Sequence, residues 1–146
     1  MKTKPYTPLH FEIKGNHLDD KGNALPYTRT TQRAKYSAKY ARYQGWKDYV
    51  RMCFEEYTGI ACNPYQMLEV PVKAYLHTRI YFANKKHADP DNVQKGIEDA
   101  IFKNDKYVAG TYDFDYDKKN PRVICDLIFV QNTGIDVKIL HKEYLT

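Results

Sequence analysis

Two carboxylates two residues apart, with an amine one helical turn further on, make Asp89-Pro90-Asp91-Asn92-Val93-Gln94-Lys95 the chemically most telling segment of the chain. Hard cations such as Mg²⁺ and Mn²⁺ take oxygen ligands, typically one or two carboxylates, with water and phosphate in the remaining positions. An ion held there polarises a phosphodiester and lowers the pKa of a bound water. Lys95 is spaced to neutralise charge developing on the phosphoryl oxygens or to position the attacking water. A plainer reading stays open. Aspartate at a helix start caps free amides and complements the helix dipole, and Asp91, Lys95 and Asp99, spaced by four, would form ion pairs along one face. A calcium loop is excluded, because an EF-hand starting at Asp89 needs an acid or amide at Val93 and a glycine at Gln94.

These residues need a strand to deliver them and a helix to carry them. Val70 to Phe82 alternates, with Val70, Val72, Ala74, Leu76, Thr78, Ile80 and Phe82 on one face and Tyr75, His77, Arg79 and Tyr81 on the other, which predicts a strand. It ends in the basic loop Ala83-Asn84-Lys85-Lys86-His87. A helix follows from about Pro90 to Lys103, with Pro in its first turn, Asp89 as N-cap and Val93, Ile97, Ala100 and Ile101 as the buried stripe. Upstream, Leu9 to Ile13 reads as a short strand and Lys14 to Tyr27 as loop. From about Thr31 to Tyr57 the pattern is helical, with Trp46, Tyr49, Val50, Cys53, Phe54 and Tyr57 on one face; Gly45 is a weak point and Thr58-Gly59 the stop. Tyr107 to Tyr116 and Arg122 to Gln131 read as two strands joined through Asp117 to Pro121. In the first of them Asp113, Asp115 and Asp117 would face water, and Tyr112, Phe114 and Tyr116 would pack inward. The order β-α-β-α-β-β predicts an α+β domain with helices on a mixed or antiparallel sheet.

A chain of 146 residues, 42% hydrophobic and 28% charged, is sized for one domain spanning 1–146. No stretch approaches the roughly 20 apolar residues of a membrane helix, and Met1 to Pro8 lacks the apolar core of a secretory signal. Cys53, Cys62 and Cys125 are odd in number and widely spaced, which points to reduced thiols and a cytoplasmic setting. Net charge is +5 and uneven: between Asp20 and Asp48 there is no acid, while Lys21, Arg29, Arg33, Lys35, Lys39, Arg42 and Lys47 alternate with Tyr27, Tyr36, Tyr40, Tyr43 and Trp46. Basic side chains neutralise phosphates and aromatic rings stack on exposed bases, so nucleic acid is the indicated partner; a solvated helix face is the alternative.

The acidic segment, continued by Asp99-Ala100, resembles the signature D-x-D-N-x-x-K-x-x-x-D-A of the RusA-type Holliday junction resolvases, many of them encoded by phages and prophages. The likeness is closest over about Val72 to Val108 and extends, by element order, across Leu9 to Val130. It implies a Mg²⁺-dependent homodimer, with Mn²⁺ as a substitute, that introduces paired nicks into four-way DNA junctions in recombination and repair. It implies a catalytic set of Asp89, Asp91, Lys95 and a third acid, with the aspartates as metal ligands. The family's D-D-x-Q-[IV] segment has its nearest match in Asn104-Asp105-Lys106-Tyr107-Val108, which makes Asp105 the third acid. Asn104 stands for an acid there and Tyr107 for the glutamine, so Asp113 is kept as a substitute. Arg29, Arg33 and Lys35 resemble the family's basic N-terminal region, and Lys85 and Lys86 are placed to hold the DNA backbone near the metal. The altered Asn104-Asp105 segment leaves a second possibility, a branched-DNA-binding protein of this fold without turnover.

Overall fold

The computed structural model describes residues 9–15, 22–26, 38–69 and 73–129. Along them run β1 (Leu9–Lys14), α1 (Ala38–Thr58), β2 (Ala74–Phe82), α2 (Pro90–Ile101), β3 (Val108–Tyr116) and β4 (Arg122–Phe129), the expected β-α-β-α-β-β order. The sheet is mixed, in the order β1-β4-β2-β3. β2 and β3 run parallel across the α2 crossover, while β4 pairs antiparallel with both β1 and β2. Consecutive β3 and β4 are therefore not a hairpin, because β2 lies between them.

Both helices cover one face of this sheet. Alternation places Ala74, Leu76, Thr78, Ile80 and Phe82 on that face, each fully buried. Phe11, Ile13, Val123, Cys125 and Leu127 join them from β1 and β4. On α1, Tyr43, Trp46, Val50, Cys53 and Phe54 recur at three- and four-residue steps and are buried against them. Phe54 meets Phe11 edge to face with centroids 5.1 Å apart. Gly45 interrupts nothing: α1 runs through it to Thr58 and stops at Gly59, whose φ of +73° lets its N–H reach Glu55 O at 2.8 Å. Tyr57, expected on the buried face, is 41% exposed: it lies in the last turn of α1, its ring edge-on to His10 and its hydroxyl 3.5 Å from Glu12 of β1.

α2 starts as its sequence requires, with Pro at the first position and Asp89 extended at the N-cap. Val93, Ile97, Ala100 and Ile101 are fully buried. Phe102 turns out of the helix with extended backbone and pairs with Leu68, where Leu68 N–H donates to Ile101 O and Lys103 N–H to Leu68 O. The buried Arg51 ties the helices together, its Nε donating to Ala100 O at 2.7 Å near the negative end of the α2 dipole. Cys53, Cys62 and Cys125 are buried free thiols. No described helix is long and apolar enough to cross a membrane.

One expectation is overturned. Tyr112, Phe114 and Tyr116 do face the helix side, in register with Thr78, Ile80 and Phe82, yet they are 45%, 47% and 44% exposed. β3 is the outer strand of the described sheet, and α2 crosses it at Gly110, leaving the rest of that face uncovered.

Candidate active site

The loop that delivers the acids is held from below by Asn23, a residue only 1% exposed. Its Oδ1 accepts from Ala83 N–H at 2.8 Å, and its Nδ2 donates to Asn84 Oδ1 and Lys86 O at 3.1 and 3.0 Å. Lys86 N–H in turn donates to Asn84 Oδ1, which closes the turn and leaves Lys85 and Lys86 exposed. His87 lies flat on Phe82, with centroids 3.7 Å apart and planes 7° from parallel. Its Nδ1 donates to Ala88 O, which leaves Nε2 to accept from Tyr116 Oη at 3.0 Å. The histidine is thus a packed support of the loop.

Asp89 follows at the mouth of α2. Its main-chain oxygen accepts from Asn92 and Val93 N–H, but its side chain makes no capping bond. Among the described residues neither the Asp89 nor the Asp91 carboxylate has a hydrogen-bond or ion-pair partner, and both residues are exposed. The ion-pair reading of the cluster fails for the same reason. Asp99 Oδ2 accepts from Tyr43 Oη at 2.7 Å and from Lys47 Nζ at 3.1 Å, so Asp99 is a tie between α1 and α2 and leaves Lys95 exposed.

Lys95 and Asp105 meet in one cleft of about 570 Å³, lined also by Glu98, Asp99, Phe102, Lys103 and Asn104. Asp105 sits in the turn entering β3, where its carbonyl accepts from Val108 N–H at 2.9 Å. Glu98, only 8% exposed, was not singled out by the sequence. Burial pushes its carboxyl up to about 7, the Asp105 carboxylate adds to the rise, and Gln94 and Lys95 oppose it. Gln94 is equally fixed: it accepts from Thr78 Oγ1 and donates to Leu76 O at 3.2 Å and to Glu98 Oε1 at 3.4 Å. Gly110 makes room for the pair, since a Cβ there would lie 2.5 Å from Gln94 Nε2 and 2.6 Å from Glu98 Oε1. Glu98 follows Asp91 by seven residues, the spacing that shares a helix face, and this was the available signal for it.

Asp113 does not join the acids. Its carboxylate is paired with Arg79 through two bonds of 3.2 Å, with His77 Nε2 at 3.8 Å, on the sheet face turned away from α2. Arg29, Arg33 and Lys35 lie outside the described residues. Among the described residues no three carboxylate, imidazole or thiolate groups converge on one metal position. The free donors fit a cation that takes one or two carboxylates and completes its shell with water and phosphate: Asp89 and Asp91 are hard, exposed and uncommitted.

Topology gathers positive charge beside these acids. Because β2 and β3 are parallel, their C-terminal ends share one end of the sheet with the mouth of α2. The turn after β3 docks there, Asp117 N–H donating to Phe82 O, and Gly15 N–H donates to Pro121 O. Lys14, Lys85, Lys86, Lys118 and Lys119 are all exposed at this end.

A family model described as endodeoxyribonuclease RusA matches residues 21–127 of the chain. No curated protein matches it.

Proposed function

The chain belongs to the RusA endodeoxyribonuclease family, and from that premise we propose that it is a Mg²⁺-dependent, structure-selective endonuclease that resolves four-way DNA junctions in recombination and repair. The observation that carries this reading is the pair of uncommitted carboxylates, Asp89 and Asp91, at a helix mouth with Lys95 one turn on. A bound Mg²⁺, or Mn²⁺ in its place, supplies Lewis-acid polarisation of the scissile phosphate and a more acidic water. Asp89 and Asp91 would hold it, and Asp105, which lines the cleft with Lys95 but does not converge with that pair on one metal position, would act as the third acid from a separate place. The Lys95 ammonium neutralises negative charge as it grows on the phosphoryl oxygens. Lys85 and Lys86, with Arg29, Arg33 and Lys35, grip the phosphodiester backbone and release its counterions. The single domain acts as a homodimer, since paired nicks on a four-way junction call for two sites related by a twofold axis.

Asp91→Asn provides the test. Wild-type protein should nick a synthetic four-way junction in Mg²⁺, and the variant should lose that activity by at least roughly 100-fold while shifting the same junction in a gel without metal. Normal cutting by the variant would remove the metal assignment. A second reading is motivated by Asn104 and Tyr107, which stand where the family carries an acid and a glutamine. In that reading the chain binds branched DNA without turnover, and wild-type protein would shift the junction yet nick nothing in Mg²⁺ or Mn²⁺.

A further inference from the structure

The helix-side face of β3 carries a run of rings that α2 leaves uncovered. Tyr112, Phe114 and Tyr116 stand 45%, 47% and 44% exposed at alternate positions of one strand. Alternate residues of a strand lie about 6.6 Å apart, and Phe114 and Tyr116 pack edge to face with centroids 6.2 Å apart, so the ladder offers exposed ring faces rather than slots between rings. Inward, the ladder is backed by Phe82 and His87, with Phe114 6.0 and 5.9 Å from them and Tyr116 6.4 and 5.6 Å. The Tyr116 hydroxyl is fixed on His87. The platform is therefore held in place before anything docks on it.

Its surroundings name the occupant. α2 borders the ladder on the helix side of the sheet, its N-terminal half carrying the exposed Asp91 and Lys95, and His87 joins the ladder to Asp89. Beyond Tyr116 the shared end of β2 and β3 presents Lys85, Lys86, Lys118 and Lys119. The carboxylate of Asp113 is turned to the opposite face, against Arg79. Exposed rings with lysines at the adjoining end of the sheet match a polyanion with exposed flat faces. A second copy would bring its own lysines against these.

We propose that Tyr112, Phe114 and Tyr116 form a stacking platform for unpaired nucleotides of a DNA strand, next to the carboxylates of the cleavage site. This rests on the reading of the chain as a DNA endonuclease and adds what part of the substrate it grips. Bases opened at a branch point have free faces, whereas those in linear duplex do not, so the platform favours branched over linear DNA.

Binding in EDTA, where nothing is cut, tests this apart from nuclease activity. The full chain and its Phe114→Leu and Tyr112→Leu variants, which keep apolar bulk but lose the flat ring, are titrated against fluorescein-labelled oligothymidylate and against linear duplex. Each variant should bind oligothymidylate roughly tenfold more weakly, with duplex affinity moved by less than about twofold. Phe114→Tyr should restore binding. Equal loss on both DNAs, or no loss on either, overturns the proposal. So does a wild-type dimer that Phe114→Leu splits into monomers in sedimentation, which would assign the rings to a contact between copies. A chain that nicks nothing but shows the ring-dependent preference keeps the platform and overturns the endonuclease reading. Normal nicking with ring-independent binding does the reverse.

Discussion

At Glu98 burial raises the carboxyl's pKa while the Gln94 hydrogen bond and the Lys95 charge oppose the rise. Its carboxyl is held up to about 7 against an ordinary value of 4.5. In the unfolded chain the proton leaves near 4.5, while the folded protein keeps it to about 7. Across that window the folded state binds more protons, so this residue's contribution to stability is full below 4.5 and is lost as pH rises through 7. Glu98→Gln keeps the shape and removes the titration. It should raise stability relative to wild type by about 2 kcal/mol near pH 8, discounted from the full shift because the cleft is open to water, and by little near pH 4. Thermal melts of both proteins at the two pH values check this; a gap that stays constant with pH would refute it. The carboxyl that costs stability above neutrality shares its cleft with Lys95 and Asp105, so the site that holds it is polar by arrangement.

At the scale of elements, the loop from Ala83 to His87 depends on a residue far from it in the chain. Asn23 satisfies Ala83 N–H and Lys86 O together, and no other described group takes either role. Asn23→Ala should cost about 1–3 kcal/mol through these unmet groups. It should also speed amide exchange at Ala83 without speeding it in the middle of α2, which hydrogen-exchange measurements would resolve; unchanged protection at Ala83 would count against the clamp. Period-based reading found α1, β2 and α2 because Trp46, Val50 and Cys53, then Leu76, Thr78 and Ile80, then Val93, Ile97 and Ile101 each repeat at the spacing of their element. It could not find Asn23, since an asparagine in a loop has no period. It misjudged β3 for a different reason. Alternation says that Tyr112, Phe114 and Tyr116 share a face, but only the path of α2 over Gly110 determines how much of that face is covered. At the site, Asp89, Asp91 and Lys95 were legible as a cluster because they lie within two turns of one helix. Asp105 and Glu98 reach their cleft through a chain reversal and a missing side chain at Gly110, neither of which is local in sequence.

For the whole molecule, the decisive fact is that β4, the last of the described strands in the chain, lies inside the sheet between β1 and β2. It carries Val123, Cys125 and Leu127 into the core, each no more than 1% exposed, and it is the strand on which β1 pairs from Leu9 to Lys14. A fragment ending at Pro121 leaves β1 without that partner and opens the apolar face under α1. It should lack a cooperative thermal transition and near-ultraviolet dichroism; a sharp melt from that fragment would disprove this dependence. Contacts between distant parts of a chain must wait until both parts exist. On the ribosome, then, the acidic cluster leaves the exit tunnel well before the strand that locks its scaffold. A copy that stops short of β4 carries Asp89, Asp91 and Lys95 without the frame that positions them, so the cluster stays unaimed until that strand is made.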